Sequence, residues 1–405
     1  MSTSCAGGMQ RSIDAPLSRL LAGIERELPH AVELRHRLHG HPELSHAEAW
    51  TAATIARELP VESVSAAGTG RLARIGAEAG RPIAVRAELD GLPIEERTDA
   101  PWRAVGGAMH ACGHDVHMAA LVALARAAHA LGEGLPAPLL AVFQPSEEAY
   151  PSGAEQLARG ELTELAPAAV VAAHVHPELA WGTVALDPGT VNASSDNIEI
   201  TIEGEPSHGA YPHQGRDPIL AMAHVVVALH SQVARRIDPQ GPALLTIGVL
   251  EGGDAENVIP ARARARGSLR AHRPEDRIAM RQLVEEVVHG VAAAYGCRGA
   301  VKIVAGEPAL RNDPAIAARA RELLSHADLT TAPEWRSCGS DDFAFFGEHA
   351  PLAMGFVGLD GAAGFKPRPL HHPELLPPDG AVGTVARVQA VLYAAAVLSL
   401  ADAGP

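Results

Sequence analysis

Two pieces of this chain combine residue types that suit one metal site. The first is His110-Ala111-Cys112-Gly113-His114-Asp115 and the second is Gln144-Pro145-Ser146-Glu147-Glu148. A thiol and imidazoles packed into one short loop are good ligands for a zinc-like cation. Two adjacent carboxylates on a later loop allow a division of labour. One can hold metal while the other takes a proton from an activated water. Cys112 and His114 are two apart, so in an extended loop their side chains share a side. An isolated histidine is more often incidental than functional. Here the cluster sits between Gly106-Gly107 and a predicted helix start, and carboxylates converge with it. His174 and His176 alternate on a predicted strand, and His371-His372-Pro373 forms a third histidine locus. Together these supply the neutral imidazole donors that a two-metal site requires.

The elements that must position these residues are legible in outline. Leu17, Leu20, Leu21, Ile24, Leu28, Val32 and Leu34 recur near helical spacing, and a second helix is expected over 47–59, ending at Pro60. Short apolar runs at 83–89, 139–143 and 170–174 then alternate with a helical stretch at 116–131. This alternation predicts an α/β layered domain with a largely parallel central sheet. Sites in such sheets gather at the carboxyl ends of strands. Asp90 follows one run, Glu147 and Glu148 follow another, and His174 is expected to end the third.

Near Asp187-Pro188-Gly189 the pattern changes, and 198–203 alternates strictly, as a half-exposed strand does. A helix (217–235), two strands (244–250 and 262–270), a helix (274–295) and a last strand (301–304) follow. The β-α-β-β-α-β order predicts an inserted ferredoxin-like α+β unit at 188–304. The α/β domain is expected at 1–187 and 305–405. The prolines at 367, 369, 373, 377 and 378 mark a loop before a last helix at 382–400. Interrupted by Arg387 and Gln389, that helix reads as buried and amphipathic rather than membrane-spanning.

Composition excludes other classes. An apolar content of 47% supports sizeable cores, and an aromatic content of 3% leaves them to Leu, Val, Ile and Ala. The net charge is −15 and the basic residues are unpatterned, which gives no nucleic-acid footprint. Four dispersed cysteines (Cys5, Cys112, Cys297 and Cys338) show no disulfide-scaffold spacing. The stretch MSTSCAGGMQRS has no apolar run after its basic residue, so no signal peptide is expected, and a cytoplasmic location is. Gly68-Thr69-Gly70 lacks the strand-then-helix setting of a dinucleotide fingerprint. No GxSxG, Walker A or HExxH motif is present.

Several short motifs in register carry a family resemblance. They are Arg35-His36-Arg37-Leu38-His39-Gly40-His41-Pro42-Glu43-Leu44, then Arg86 to Ile94, HACGHDVHMA from His110 and FQPSEE from Phe143. SHGAYPH from Ser207, GGDAENVIP from Gly252, GSDDFAFF from Gly339 and HHPEL from His371 follow in order. The chain resembles the M20 metallopeptidase family, in its amidohydrolase branch, which includes hippurate hydrolases and auxin-conjugate hydrolases. The resemblance implies that Cys112, His114, Glu148, His174 and His371 hold two divalent ions, zinc or manganese first, with nickel or cobalt also compatible. It implies general-base and general-acid work for Glu147, and orientation of a ligating imidazole by Asp90. His208 would steady the oxyanion, in many relatives from a partner subunit, while Asn257 and Arg270 would line the substrate carboxylate end.

The implied reaction is amide hydrolysis of N-acyl amino acids or small amino-acid conjugates, in a homodimer formed through the inserted domain, with no membrane partner. A dipeptidase using the same site and a catalytically silent metal-binding homologue are the alternatives. Two departures bear on substrate. Glu88 stands where the branch usually has Asp, and Ala149-Tyr150 follows the carboxylate pair where glycines are usual.

Overall fold

The computed structural model describes residues 3–402 of the chain, with side chains from residue 13 to residue 401. The side chain of Cys5 and the whole of the stretch read for a signal peptide fall outside the described side chains. Two compact units emerge. The first comprises Met1–Gly189, Arg311–Trp335 and Phe345–Pro405, and the second Thr190–Leu310 with Arg336–Ala344.

The first unit is an α/β layer built on an eight-stranded sheet. Its strands include β1 (Val64–Ala66), β2 (Gly70–Ile75), β3 (Ile83–Glu88), β4 (Leu139–Gln144), β5 (Ala169–Ala180) and β6 (Thr183–Ala185). Strands Thr330–Thr331 and Leu352–Asp360 complete it. The central four lie in the order β4, β3, β5, Leu352–Asp360, and all three of their pairings are parallel. β3 and β4 are buried at every position, as parallel strands covered on both faces are. β1 and β2 form an antiparallel hairpin through Gly68-Thr69, so that glycine-rich stretch is a turn.

Helices α1 (Thr3–His39) and α3 (His114–Leu131) pack against each other and against the C-terminal helix Gly380–Asp402. α2 (Ala49–Glu58) lies within the expected 47–59 segment. The C-terminal helix differs from expectation. It is long and apolar enough to cross a membrane, yet it is buried on nearly every side rather than on one face. The reason is that α1, α3, Pro314–Leu323 and the sheet surround it, leaving Gln389 buried and Arg387 reaching out to Glu25 at 2.8 Å.

The second unit has a four-stranded antiparallel sheet in the order Ala243–Gly252, Arg262–Ala271, Ser194–Glu203, Arg298–Ala305. With helices Pro218–Arg236 and Pro274–Ala294 it is the expected β-α-β-β-α-β arrangement. Ile198, Ile200 and Ile202 point into its core with Met222, Val225, Met280 and Val284. The segment Arg336–Ala344, placed by the sequence in the α/β part, packs with this unit instead. Arg270 donates to the Cys338 carbonyl at 3.0 Å and the His272 ring to that of Ser337 at 2.8 Å, which ties it there.

Candidate metal centre

The site grows from three chain crossings at the carboxyl end of the parallel strands. β3 leaves the sheet into Leu89 and Asp90, and β4 leaves it into Pro145 and Ser146. β5 does not end at His174, contrary to expectation. It runs on to Ala180, because Leu352–Asp360 continues to pair with it past Gly358 opposite His176 and, after a register shift, at Asp360 opposite Ala180. Its pairing with β3 does stop, at Arg86 opposite Ala172. His174 therefore lies just past the point where that side of the strand opens. Gly113 fills the gap with a left-handed φ of 83°, and a Cβ there would meet Val175 Cγ2 at 2.5 Å. Only glycine fits both the conformation and the space, and α3 starts at the next residue.

Ligand-type atoms converge here. Atoms of Cys112, Glu148 and His371 lie within 4.8 Å of one another, as do those of His114, Glu147 and Glu148, so Glu148 belongs to both groups. Cys112 Sγ is 3.5 Å from His174 Nε2, and His371 Nε2 is 3.4 Å from Glu148 Oε1. His114 Nε2 is 3.9 Å from both Glu147 Oε2 and Glu148 Oε1. His371 holds a left-handed φ of 65°, and its N–H donates to the Ala111 carbonyl at 2.9 Å, which binds its loop to the Cys112 loop.

These spacings are informative. Two ligands held tetrahedrally at zinc-like distances stand roughly 3.3–3.6 Å apart. His114 Nε2 and Glu148 Oε1 are buried and have no hydrogen-bond partner among the described residues. A buried lone pair without a partner is costly. A cation between them would satisfy both, so the donor set fits divalent metal.

The imidazoles present the correct nitrogens. Peptide carbonyls only accept, so His114 Nδ1–H donates to the Asp90 carbonyl at 2.8 Å and His174 Nδ1–H to that of Val175 at 2.7 Å. In both rings Nε2 keeps its lone pair for the centre. The Asp90 carboxylate stands 3.5 Å from His114 Nδ1 and accepts more closely from Ser45 Oγ (2.6 Å) and Glu148 N–H (2.9 Å). It thus ties the Glu148 loop as well as facing the imidazole. Burial would raise its pKa, but hydrogen bonding and charge from His114, with Ser45 and the Glu148 amide, lower it to about 2. For His114 burial would depress the pKa, and the charges of Glu88, Asp90 and Glu148 overcome this and raise it to about 10. An excess of negative charge that attracts a proton is also one that attracts a cation.

Of the histidines singled out in the first unit, His176 is not among these groups. The half-buried His176 ring stacks edge-on against Trp335 at 4.8 Å. In the second unit, His208 lies on a two-residue strand paired with Val258, and the Asn257 carbonyl accepts from Gly209 N–H at 2.7 Å, so these two are neighbours. Arg270 is half-buried on a central strand rather than an edge strand.

Sequence reasoning missed two supporting groups. Glu48, buried and not in either ligand loop, accepts from Ser146 N–H at 2.8 Å and from Thr69 Oγ at 2.7 Å. Ser146, at φ 51°, accepts the His46 N–H at 2.9 Å. These bonds brace the loop that carries Glu147. The second group is Arg86, Glu88 and His117, buried behind His174. Its signal was available: two charges in the otherwise apolar run of β3 need buried partners.

Known proteins carry related features. Residues 84–392 match Peptidase family M20/M25/M40. The N-acetyl-L-cysteine deacetylase of Bacillus subtilis (strain 168) is 36% identical over 359 residues, covering 87% of this chain and 84% of that protein. The N-acetyldiaminopimelate deacetylase of Bacillus pumilus (strain SAFR-032) is 32% identical over 371 residues, covering 89% and 96%. A crystal structure of a Bacillus subtilis protein described as a dinuclear metal binding peptidase from the M20 family superposes with a TM-score of 0.78. It is 29% identical and covers 91% of this chain and 98% of its own. The motifs, the α/β sheet with its ligand-bearing loops and these likenesses agree: the chain belongs to Peptidase family M20/M25/M40, in its amidohydrolase branch.

Proposed function

We propose that this chain hydrolyses the amide bond of small N-acyl amino acids, using Cys112, His114, Glu148, His174 and His371 as ligands for two divalent ions. The observation that carries this reading is the convergence of two buried atoms without a hydrogen-bond partner among the described residues, His114 Nε2 and Glu148 Oε1, beside the Glu147 carboxylate. Divalent ions bound there would polarise the amide carbonyl and acidify a water. Glu147 accepts the proton of the attacking water and returns it to the departing amine nitrogen. Asp90 and the Val175 carbonyl hold the imidazoles of His114 and His174 in the ligating tautomer.

The thiolate of Cys112 favours zinc, and the carboxylate and imidazole donors also accept manganese. From the second unit, His208 would donate to the oxyanion, and Asn257 and Arg270 would take the substrate carboxylate. Two relatives named for N-acetyl amino acids support a short acyl group. A homodimer through the second unit is supported by apolar side chains that this unit leaves exposed, Ile219, Leu220 and Val227 on one helix and Leu250 on the outer strand.

The test is a panel of N-acetyl and N-benzoyl amino acids and dipeptides, assayed with chelator-stripped protein and after return of zinc or manganese. Metal-dependent cleavage of N-acyl amino acids is expected, with dipeptides cleaved at least tenfold more slowly. Faster dipeptide cleavage would replace this reading with an exopeptidase, and an inert metal-loaded protein would sink it.

A further inference from the structure

Behind His174 lies a line of buried polar groups that bond to one another and to the backbone of Val175. Arg86 Nε donates to the Gln144 side-chain oxygen at 2.7 Å, and its Nη1 pairs with Glu88 Oε1. Glu88 Oε2 is 2.9 Å from His117 Nδ1, and Val175 N–H donates to His117 Nε2 at 3.0 Å. The Val175 carbonyl in turn takes the Nδ1–H of His174. All four side chains behind His174 are at most 2% exposed.

The protons along this line are dictated by chemistry. A peptide N–H can only donate, so His117 Nε2 is unprotonated. The proton of a neutral ring must then sit on Nδ1, where the Glu88 carboxylate accepts it. His117 thereby grips one side of Val175 while His174 grips the other. The His117 and His174 rings are 4.5 Å apart, so a shift of one displaces the other. Glu88 reaches His117 with the longer of the two acidic side chains, at the position where the branch usually carries Asp.

We infer that Glu88 and His117 are positioning residues for His174: they fix the Val175 peptide that aims the His174 imidazole, and Glu88 is matched in length to that task. The inference rests on His174 being a ligand, as proposed above. Although Glu88, His114, His117 and His174 together have the composition of a metal group, Glu88 and His117 direct their atoms at each other and at Val175 rather than at the centre.

The test compares H174A, H117L, H117Q and E88D with the wild-type chain. Zinc affinity of each stripped protein is measured by competition with a chromophoric chelator, and thermal unfolding of each metal-free form is recorded beside it. H174A should lose the most affinity. H117L should weaken zinc about 10–100-fold, the range seen when the partners of metal ligands are removed. H117Q keeps an oxygen that accepts from Val175 N–H and should recover most of that loss. E88D should weaken zinc severalfold, with its metal-free Tm near wild type. If H117L does not fold, H117Q and E88D decide. Zinc affinity within twofold of wild type in H117L and E88D, with H174A weakened, overturns the inference and leaves His174 a ligand. A fall in metal-free Tm without a change in zinc affinity overturns it as well. An unchanged H174A would instead remove His174 from the ligand set.

Discussion

Around His39 buried charges meet opposite charges, and around His114 acids gather. In the first cluster Arg35 donates to Asp115 at 3.0 Å and to Asp379 at 2.7 Å, while His39 bridges Asp115 (3.0 Å) and Glu96 (3.1 Å). Two buried cations thus face two buried carboxylates, and Trp102 packs against the His39 ring edge-on at 4.8 Å. In the second, Glu88, Asp90, Glu147 and Glu148 crowd about His114, with Arg86 countering Glu88. Both clusters are histidine- and acid-rich, both are buried in the same unit, and they adjoin through the neighbours His114 and Asp115. One is a closed brace between α1 and the start of α3. The other is left short of positive charge, which divalent ions would supply. Histidine density thus marks neither role; charge balance separates them.

The comparison can be broken in several places. The largest effect should come from Glu147→Gln, which should lower kcat/KM roughly 10^2–10^4-fold with metal content and Tm unchanged. Retained activity would remove Glu147 as the proton carrier. Asp115→Asn should do the reverse. It leaves Arg35 and His39 short of a buried partner and should cost roughly 3–5 kcal/mol by chemical denaturation of the metal-free form. A loss under 1 kcal/mol would show that the brace is dispensable.

A pH series sharpens the contrast further. Burial would lower the His39 pKa, but Asp115 and Glu96 raise it from 6.5 to about 9. A raised folded-state pKa contributes stability that is fully present below about pH 6.5 and lost as pH rises through about 9, here about 3 kcal/mol. His114 carries the same sign in the metal-free chain, so the difference between wild type and His39→Gln isolates His39. Equal pH slopes for the two would contradict the assignment. The smallest effect should follow Ser146→Ala. Losing the bond to His46 N–H should cost about 1 kcal/mol and lower kcat a few-fold at constant KM.

Much of this was legible in the residues themselves. The residue types of Cys112, His114, Glu147 and Glu148 pointed to two loops whose ligand-type atoms do converge, and the change from helical to strict alternation after Asp187 marked where the second unit begins. Strand Leu352–Asp360 was not foreseen. Its glycines obscure the strand signal, and close neighbours account for them: a Cβ on Gly358 would lie 2.0 Å from the Ala180 carbonyl of β5, and one on Gly355 would lie 3.2 Å from Val184 and Val388. The brace was equally hidden. His39 and Arg35 meet acids 57 to 344 positions away, and no local pattern reports a partner at that range. His174 was assigned to the end of its strand because an apolar run stops there, whereas hydrogen bonding to Leu352–Asp360 carries the strand onward.

The C-terminal helix carries a consequence for the order in which the protein takes shape. Its apolar residues share one core with Leu17, Leu20 and Ile24 of α1 and with the strands between. The second unit closes its core within residues 198 to 303. During synthesis that unit can therefore fold while the first helix, already able to meet α3, still lacks a partner made some 350 residues later. The larger unit, which carries the proposed ligands, is thus the last to become folded, and a nascent chain stalled before Gly380 would expose the surface that chaperones bind.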